Sequence, residues 1–219
     1  MTKDDVGLAT ALRAPVQGRS KASYERMLAA AEALLIERGN DEFTLLEVSK
    51  KGKVSIGSIY NRFESKDALL HAVQLRVLEQ LDTAMFARIG QARAGHAALP
   101  SLVVALVETL AETLREFGPQ MRPLMARAST DALVASVGKA SYMGTANAIK
   151  EALLDHRGEM KVKDPERAVD STFRILYAAI ARYLGFGTIS TSAWEGDWLV
   201  LKKDLAQMIA AFLMSDALM

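Results

Sequence analysis

One long apolar stripe constrains the fold of this 219-residue chain more than any other feature. Its members recur at spacings of three and four residues, at Leu70, Val73, Val77, Leu81 and Met85. No Gly or Pro interrupts the segment before Gly90. At about 1.5 Å per residue, the pattern therefore predicts a helix of roughly 30 Å or more, over residues 66–89.

Helical periodicity also dominates the rest of the chain, and no segment shows the alternation of a strand. Helix starts are marked by capping boxes at Thr44–Glu47 and Ser192–Glu195 and by Asp164 before a proline. Gly90–Pro100 is a predicted loop, and Pro123 is expected to break or kink a helix. These patterns predict an all-α protein with about nine helices.

Composition and the absence of known motifs exclude several classes of function. The absence of Cys excludes disulfides, a thiolate nucleophile and Cys metal ligands. The histidines at positions 71, 96 and 156 stand alone, and there is no phosphate-binding Gly loop or GxSxG motif. We therefore expect no catalysis, no metal and no other cofactor.

No segment has the pattern of a membrane span or a secretory signal. The longest run without a charge, Ala94–Val107, is shorter than a span requires, and the N-terminus has no apolar core. A cytoplasmic protein that does not contact the membrane is the default expectation.

Charge is distributed unevenly along the chain. The formal net charge is +1, yet Lys50–Lys66 contains five basic residues and a single acid, Glu64. A positive patch within a near-neutral protein favours contact with an anion. An ordinary solvated face is the alternative.

Residues 44–62 predict two short helices joined by a tight turn around Gly52. This geometry places a second helix in the DNA major groove. Ile59 and Phe63 form an inward pair, whereas the opposite face is small and polar, with Ser55, Gly57, Ser58 and Asn61. Such a face can approach and hydrogen-bond to base edges. An ordinary surface helix with a capping serine is the alternative.

A longer motif surrounds this unit. It comprises Met27-Leu28-Ala29-Ala30-Ala31, Gly39, Phe43-Thr44 and above all Val54-Ser55-x-Gly57-Ser58-Ile59-Tyr60-x-x-Phe63-x-Ser65-Lys66-x-x-Leu69-Leu70. Through these residues Arg19–Leu70 resembles the tetracycline-repressor (TetR-like) family of bacterial transcription regulators. The resemblance covers about the first third of the chain, and the remainder agrees only in helical character and length.

The resemblance implies DNA contacts for residues of this segment. Ile56 as a core residue and Tyr60 as a plain surface aromatic are the alternatives. The residues assigned to phosphates are Thr44, Tyr60 and Lys66; those assigned to phosphates or base edges are Ser55 and Ser58; those assigned to the groove floor are Ile56, Gly57 and Asn61; and Arg19 is assigned to the backbone or minor groove.

The chain departs from the family pattern at one position of the turn. The family usually has Gly before the residue that matches Val54, whereas this chain has Lys53 there and Gly52 one position earlier. Either Lys53 adopts a positive φ or Gly52 takes the turn. The added charge of Lys53 is a further candidate phosphate contact.

The last two predicted helices are apolar on several faces. A helix of this kind must be covered on more than one side, so we expect them to form a two-fold homodimer interface, as the resemblance also implies. A buried helix in a monomer is the alternative. The dimer would present two recognition helices roughly 34–36 Å apart, to a near-palindromic operator.

The resemblance also implies a pocket for a small-molecule effector among the middle helices. Plain core packing is the alternative for each candidate, and for Arg174 the alternative is a local ion pair with Asp170. The candidates are Phe86, Phe117, Met121, Met125, Tyr142, Met143, Phe173, Arg174 and Tyr177.

These expectations divide the chain into a tail (residues 1–18), a helix-turn-helix domain (19–66) and a helical ligand-binding and dimerisation domain (67–219), with the helix over 66–89 coupling the last two. The function expected is a ligand-responsive regulator, commonly a repressor in this family, that a small molecule releases from double-stranded operator DNA. The alternative is a helical protein-interaction module or scaffold that does not bind DNA.

Overall fold

A computed structural model describes residues 18–186 and 196–215, except for the side chains of residues 18 and 19. These ranges contain nine α-helices and no strand, so the predicted all-α class is confirmed. The helices are α1 (Gly18–Arg38), α2 (Leu45–Gly52), α3 (Ile56–Tyr60), α4 (Lys66–Gly95), α5 (Leu99–Glu116), α6 (Gly118–Arg127), α7 (Ala132–Leu154), α8 (Pro165–Tyr183) and α9 (Trp198–Met214).

The described residues form two compact units. The first unit contains residues 18–77 and 119–135, and the second contains 78–118, 136–186 and 196–215. The sequence carries no sign that residues 119–135 pack with the N-terminal helices. No described helix combines the length and the hydropathy that a membrane crossing needs.

The core of the first unit is apolar, and one glycine permits its close packing. Met27, Leu35, Ile59 and Phe63 are almost fully buried. A Cβ on Gly52 would lie 3.0 Å from the carbonyl oxygen of Arg26 and 3.2 Å from the Cβ of Ala30. Gly52 is therefore required where α2 approaches the backbone of α1.

An ionic cluster around Arg127 joins residues 119–135 to the rest of the first unit. The guanidinium pairs with Asp41 between α1 and α2, with Asp67 at 2.7 Å and with Asp131 at 3.0 Å. His71 Nε2 lies 2.8 Å from the same Asp131 carboxylate. The end of α6, the start of α4 and the loop after α1 are thus held by one cation.

The Asp131 carboxylate is expected to make stability depend on acid pH. Burial opposes its charge, but hydrogen bonds from His71, the Val134 amide and Arg127 lower the pKa of Asp131 from 3.8 to about 2. The ionised Asp131 carboxylate therefore stabilises the fold above pH 3.8, and this stabilisation is lost as the pH falls toward 2. Asp131→Asn should lower the free energy of unfolding at neutral pH by about 2 kcal/mol, measured by urea denaturation.

The control for this prediction is Asp155→Asn, because the Asp155 carboxylate is half-exposed in its pair with Arg93. It should lose no more than about 1 kcal/mol. Equal losses for the two variants at neutral pH, or an unchanged acid dependence in Asp131→Asn, would contradict the role of Asp131.

The second unit is built on α5, whose apolar face is buried. α9 packs against α5, with Lys202 buried between Glu108 at 2.7 Å and Glu112 at 2.5 Å. Burial opposes the charge of Lys202, yet these two carboxylates raise its pKa. Trp198 Nε1 donates to the same Glu112 at 2.7 Å, which ties the start of α9 to α5.

Three features differ from those predicted: the end of α4, the effect of Pro123 and the start of the last helix. The loop over Gly90–Pro100 is wrong in its first half, because α4 continues to Gly95. Buried Ile89 and Ala92 and the Arg93–Asp155 pair stabilise this extension, and a single Gly costs a helix only about 1 kcal/mol.

Pro123 does not break its helix but lies inside α6, where buried Met121 and Leu124 flank it. The last helix begins at Trp198, with Asp197 as its N-cap. The capping box at Ser192–Glu195 and the tail before Gly18 lie outside the described residues.

Candidate nucleic-acid interface

The first helix of the helix-turn-helix unit begins at a complete capping box. Thr44 Oγ1 accepts a hydrogen bond from the Glu47 amide at 3.2 Å, and the Glu47 carboxylate accepts one from the Thr44 amide at 2.8 Å. The Thr44 amide, then Arg38 and the Thr44 hydroxyl, lower the pKa of Glu47 to about 2. The predicted capping box is confirmed, and it fixes the exposed Thr44 at the start of α2.

The turn after α2 uses Lys53 in a left-handed conformation, with φ 50° and ψ 48°. Lys53 is the one described non-glycine residue with a positive φ. Its amide donates to the carbonyls of Lys50 and Ser49, and Ser49 Oγ donates to the Val54 carbonyl at 2.6 Å. The sequence left open whether Lys53 adopts a positive φ or Gly52 takes the turn, and the structure has Lys53 at positive φ. The sequence did not predict that Ser49 would bind the Val54 carbonyl, because only its position near the end of α2 indicates such a role.

The strained turn predicts a stabilising substitution. A left-handed conformation costs a non-glycine residue about 1–2 kcal/mol, which is partly offset by the flexibility that glycine adds to the unfolded chain. Lys53→Gly should therefore raise the free energy of unfolding by about 0.5–1 kcal/mol, measured by chemical denaturation.

Lys50→Gly provides the matched control, because Lys50 is an exposed residue within α2. There the same change should lower stability by about 1 kcal/mol. Destabilisation by both variants would mean that the Lys53 backbone is not strained.

The second helix, α3, turns its apolar residues inward and its polar residues outward. Ile59 and Phe63 are buried, whereas Ser55, Gly57 and Asn61 are exposed and Tyr60 is 60% exposed. Ile56 and Ser58 are half-buried. The predicted inward pair and the predicted outward face are both present in this unit.

Ser55 caps α3 and shapes the start of this face. Its Oγ accepts a hydrogen bond from the Ser58 amide at 3.0 Å, and the two hydroxyls lie 2.7 Å apart. One hydroxyl hydrogen remains available to an outside acceptor, because only one of the two donates in that contact. The pair can therefore donate to a phosphate or a base edge.

The start of α4 brings a cation to the same unit. Ser65 Oγ accepts from the Ala68 amide at 3.1 Å, as expected of an N-cap. Lys66 Nζ donates to the Asp41 carbonyl and lies 5.0 Å from the centre of the Phe43 ring. An ammonium group has three donors, so Lys66 retains donors for a phosphate oxygen.

The other predicted DNA contacts fall in two groups. Thr44 and Lys53 are exposed on the same helix-turn-helix unit as the α3 face. The side chain of Arg19 lies outside the described residues, although its backbone is part of α1.

Three of the candidate effector residues form an aromatic cluster in the second unit. Tyr142 lies 5.4 Å from Phe173 and 4.8 Å from Tyr177 between ring centres. Burial, with a further contribution from Tyr142, raises the pKa of Tyr177 to about 12. The cluster therefore lies in an environment that disfavours an ionised group.

The remaining effector candidates do not join this cluster in a described contact. Phe86 and Met143 are each 43% exposed, and a Cβ on Gly144 would lie 3.2 Å from the Phe86 ring. Arg174 is exposed and pairs with Asp170 at 2.8 Å, which is the alternative left open by the sequence. Half-buried Phe117 belongs to the second unit, and Met121 and Met125 belong to the first.

Known proteins share both the helix-turn-helix segment and the fold. Residues 27–73 match the family model of bacterial regulatory proteins, tetR family. A candidate TetR-family transcriptional regulator from Mesorhizobium loti MAFF303099 is 19% identical, with 90% of this chain and 98% of that chain covered and a TM-score of 0.72.

Two further solved structures have the same fold. A transcriptional regulator from Rhodococcus sp. Rha1 is 19% identical, with 87% of this chain and 95% of that chain covered and a TM-score of 0.65. GusR from Salmonella enterica is 23% identical, with 88% and 96% covered and a TM-score of 0.62. No curated protein matches the sequence.

The exposed polar face of α3 is part of a helix-turn-helix unit, the class of motif that places its second helix against DNA. Residues 27–73 match the tetR family of bacterial regulatory proteins, and the described fold is shared with the solved structure of a tetR-family transcriptional regulator. The resemblance inferred from the sequence motif is thereby confirmed.

Proposed function

We propose that this protein is a cytoplasmic, ligand-responsive repressor that binds a near-palindromic operator as a homodimer and is released by a small molecule. The observation that carries the proposal is the face of α3. Ser55, Gly57 and Asn61 are exposed over the buried pair Ile59 and Phe63. Small polar residues on a firmly anchored helix suit close approach to base edges.

The residues of this interface divide into two roles. Asn61 and Gly57 face the groove floor, with Ser58 and Ile56 beside them, and they determine sequence preference. Arg19, Thr44, Ser55, Tyr60, Lys53 and Lys66 contact phosphates, and they hold the protein on the duplex without reading its sequence.

Two classes of substitution test this division. Tyr60→Phe and Lys66→Ala each remove one phosphate contact, so operator and random duplexes should both be bound more weakly, by a similar factor. Asn61→Ala removes a base contact and should lower operator affinity by about 1–3 kcal/mol, with little change on random DNA. Fluorescence anisotropy with both duplexes measures the difference.

Equal losses on operator and random DNA for Asn61→Ala would contradict its reading role. If the wild-type protein showed no steeply salt-dependent duplex binding, the proposed function would fail, because phosphate contacts release counterions. A helical protein-interaction module would then be the better description.

The exposed faces of α8 and α9 support the homodimer. Ile175 on α8 is 60% exposed, and on α9 Leu199 and Met208 are 68% and 65% exposed. The small residues Ala178 and Ala211 are exposed on these helices as well. Apolar residues beside small ones allow two helices to approach closely, which suits a four-helix arrangement with a second copy.

The aromatic cluster of Tyr142, Phe173 and Tyr177 supports an effector site in the second unit. Because Tyr177 packs against the Phe173 and Tyr142 rings and burial disfavours an ionised group there, the cluster favours an uncharged, largely apolar ligand over an anion. α4 contains residues of both units, and we propose that it couples the ligand to DNA affinity. A ligand acts only through unequal affinity for the two states.

The effector proposal is tested by operator release with a panel of uncharged aromatic and aliphatic compounds. A compound that releases the wild-type protein should fail to release Tyr177→Ala, while both proteins bind the operator equally in its absence. Equal release of the two proteins by every active compound would place the effector elsewhere.

A further inference from the structure

Most cations of the first unit are already engaged by acceptors within that unit. Lys51 pairs with Glu37 at 2.5 Å, and Arg38 pairs with Glu47. Lys66 donates to a backbone carbonyl. The Arg76 guanidinium pairs with the carboxylates of Glu25 and Glu32. The Arg127 guanidinium pairs with those of Asp41, Asp67 and Asp131.

Four exposed cations of the first unit have no ion pair among the described residues: Lys21, Arg26, Lys50 and Lys53. Three of these have backbones that lie close to the turn between α2 and α3. The Lys53 amide donates to the Lys50 carbonyl at 3.3 Å. A Cβ on Gly52 would lie 3.0 Å from the Arg26 carbonyl oxygen. We call Arg26, Lys50 and Lys53 the turn cations.

This arrangement is unfavourable in the isolated protein for two separate reasons. Like charges on neighbouring positions repel one another, and no carboxylate of the described residues neutralises the turn cations. In addition, Lys53 occupies the left-handed conformation, at φ 50°, that disfavours a side chain. Strain of this kind points to a function when the surrounding structure maintains it.

We propose that the turn cations bind the phosphodiester backbone of duplex DNA, beside the bases that α3 faces. The proposal rests on the proposed function and adds Arg26 and Lys50 to the interface. The long side chains of Arg and Lys extend from exposed positions around one turn, and phosphate oxygens supply the negative charge that the protein lacks there. Such contacts increase affinity for every sequence and steepen its dependence on salt.

The experiment compares the salt dependence of two triple variants of the full chain. The turn-cation variant combines Arg26→Gln, Lys50→Gln and Lys53→Gln. It removes the three charges and retains polar side chains of similar size. The matched control is Lys139→Gln, Lys161→Gln and Lys163→Gln, which removes the same charge from exposed positions of the second unit. Anisotropy is measured on operator and random duplexes between about 50 and 200 mM salt.

The slope of log K against log salt should become shallower by about 0.9 for each phosphate that the variant no longer neutralises, hence by about two to three for the turn-cation variant. Affinity should fall by a similar factor on operator and random DNA. The control variant should have a slope within about one of the wild-type value. Circular dichroism verifies that both variants are folded.

Equal slopes for the two triple variants would overturn the proposal while leaving the α3 interface intact. A loss confined to the operator, with an unchanged slope, would also overturn it, because that result indicates base reading. If the wild-type protein itself bound no duplex with a salt-dependent affinity, the proposed function would fail first, and this inference with it.

Discussion

A Gly57→Glu variant is expected to lose at least about 100-fold in duplex DNA affinity while it folds as stably as the wild-type protein. Gly57 lies on the exposed face of α3, and no atom lies within 4 Å of a Cβ placed there. The new side chain therefore meets open space in the free protein. On DNA it brings a carboxylate toward phosphates and base acceptors, and such like-charge contacts cost several kcal/mol.

Gly158→Glu is the matched control. Gly158 is exposed in the second unit, and a Cβ there also meets nothing within 4 Å. This variant has the same charge change and should bind DNA nearly as the wild type does. If Gly57→Glu bound DNA as well as Gly158→Glu, the assignment of the α3 face would be wrong. Unfolding midpoints of both variants show whether the fold is retained.

A Met208→Glu variant is expected to be monomeric at concentrations where the wild-type protein is dimeric. Met208 is 65% exposed on α9, and a carboxylate at that position would be buried without a partner in the proposed interface. Operator affinity should fall by at least about 100-fold, since linking two half-site contacts contributes a factor of about 10² or more. Analytical ultracentrifugation and anisotropy measure the two effects.

Ile36→Glu is the control for this variant, because Ile36 is an exposed apolar residue, 40% exposed, on α1 and so outside α8 and α9. It should remain dimeric and bind the operator normally. A wild-type protein that sediments as a monomer at every concentration would refute the homodimer. Dimers that persist in Met208→Glu would exclude the α9 face as the interface.

The helix-turn-helix unit could be predicted because its signals are local. Thr44 and Ser55 cap helices through their own side chains, and the spacing of Ile59 and Phe63 fixes which face is buried. Capping and helical periodicity need only the residues within one or two turns. For the same reason, Lys53 could be identified as one of two residues able to adopt the turn.

The features that escaped prediction depend on distant parts of the chain. Arg127 binds Asp41 and Asp67, which are far from it in sequence, so no local pattern indicates that residues 119–135 join the first unit. α4 passes Gly90 because of packing and an ion pair to Asp155. Tertiary contacts of this kind override local helix-breaking tendencies.

The central claim, that the polar face of α3 reads duplex DNA, is tested most directly by a crystal structure of the protein on its operator. The account predicts a dimer with two α3 helices in successive major grooves, about 34–36 Å apart, with Gly57 and Asn61 against base edges and Ser55 at a phosphate. A complex in which this face points away from the DNA, or is covered by protein, would contradict it.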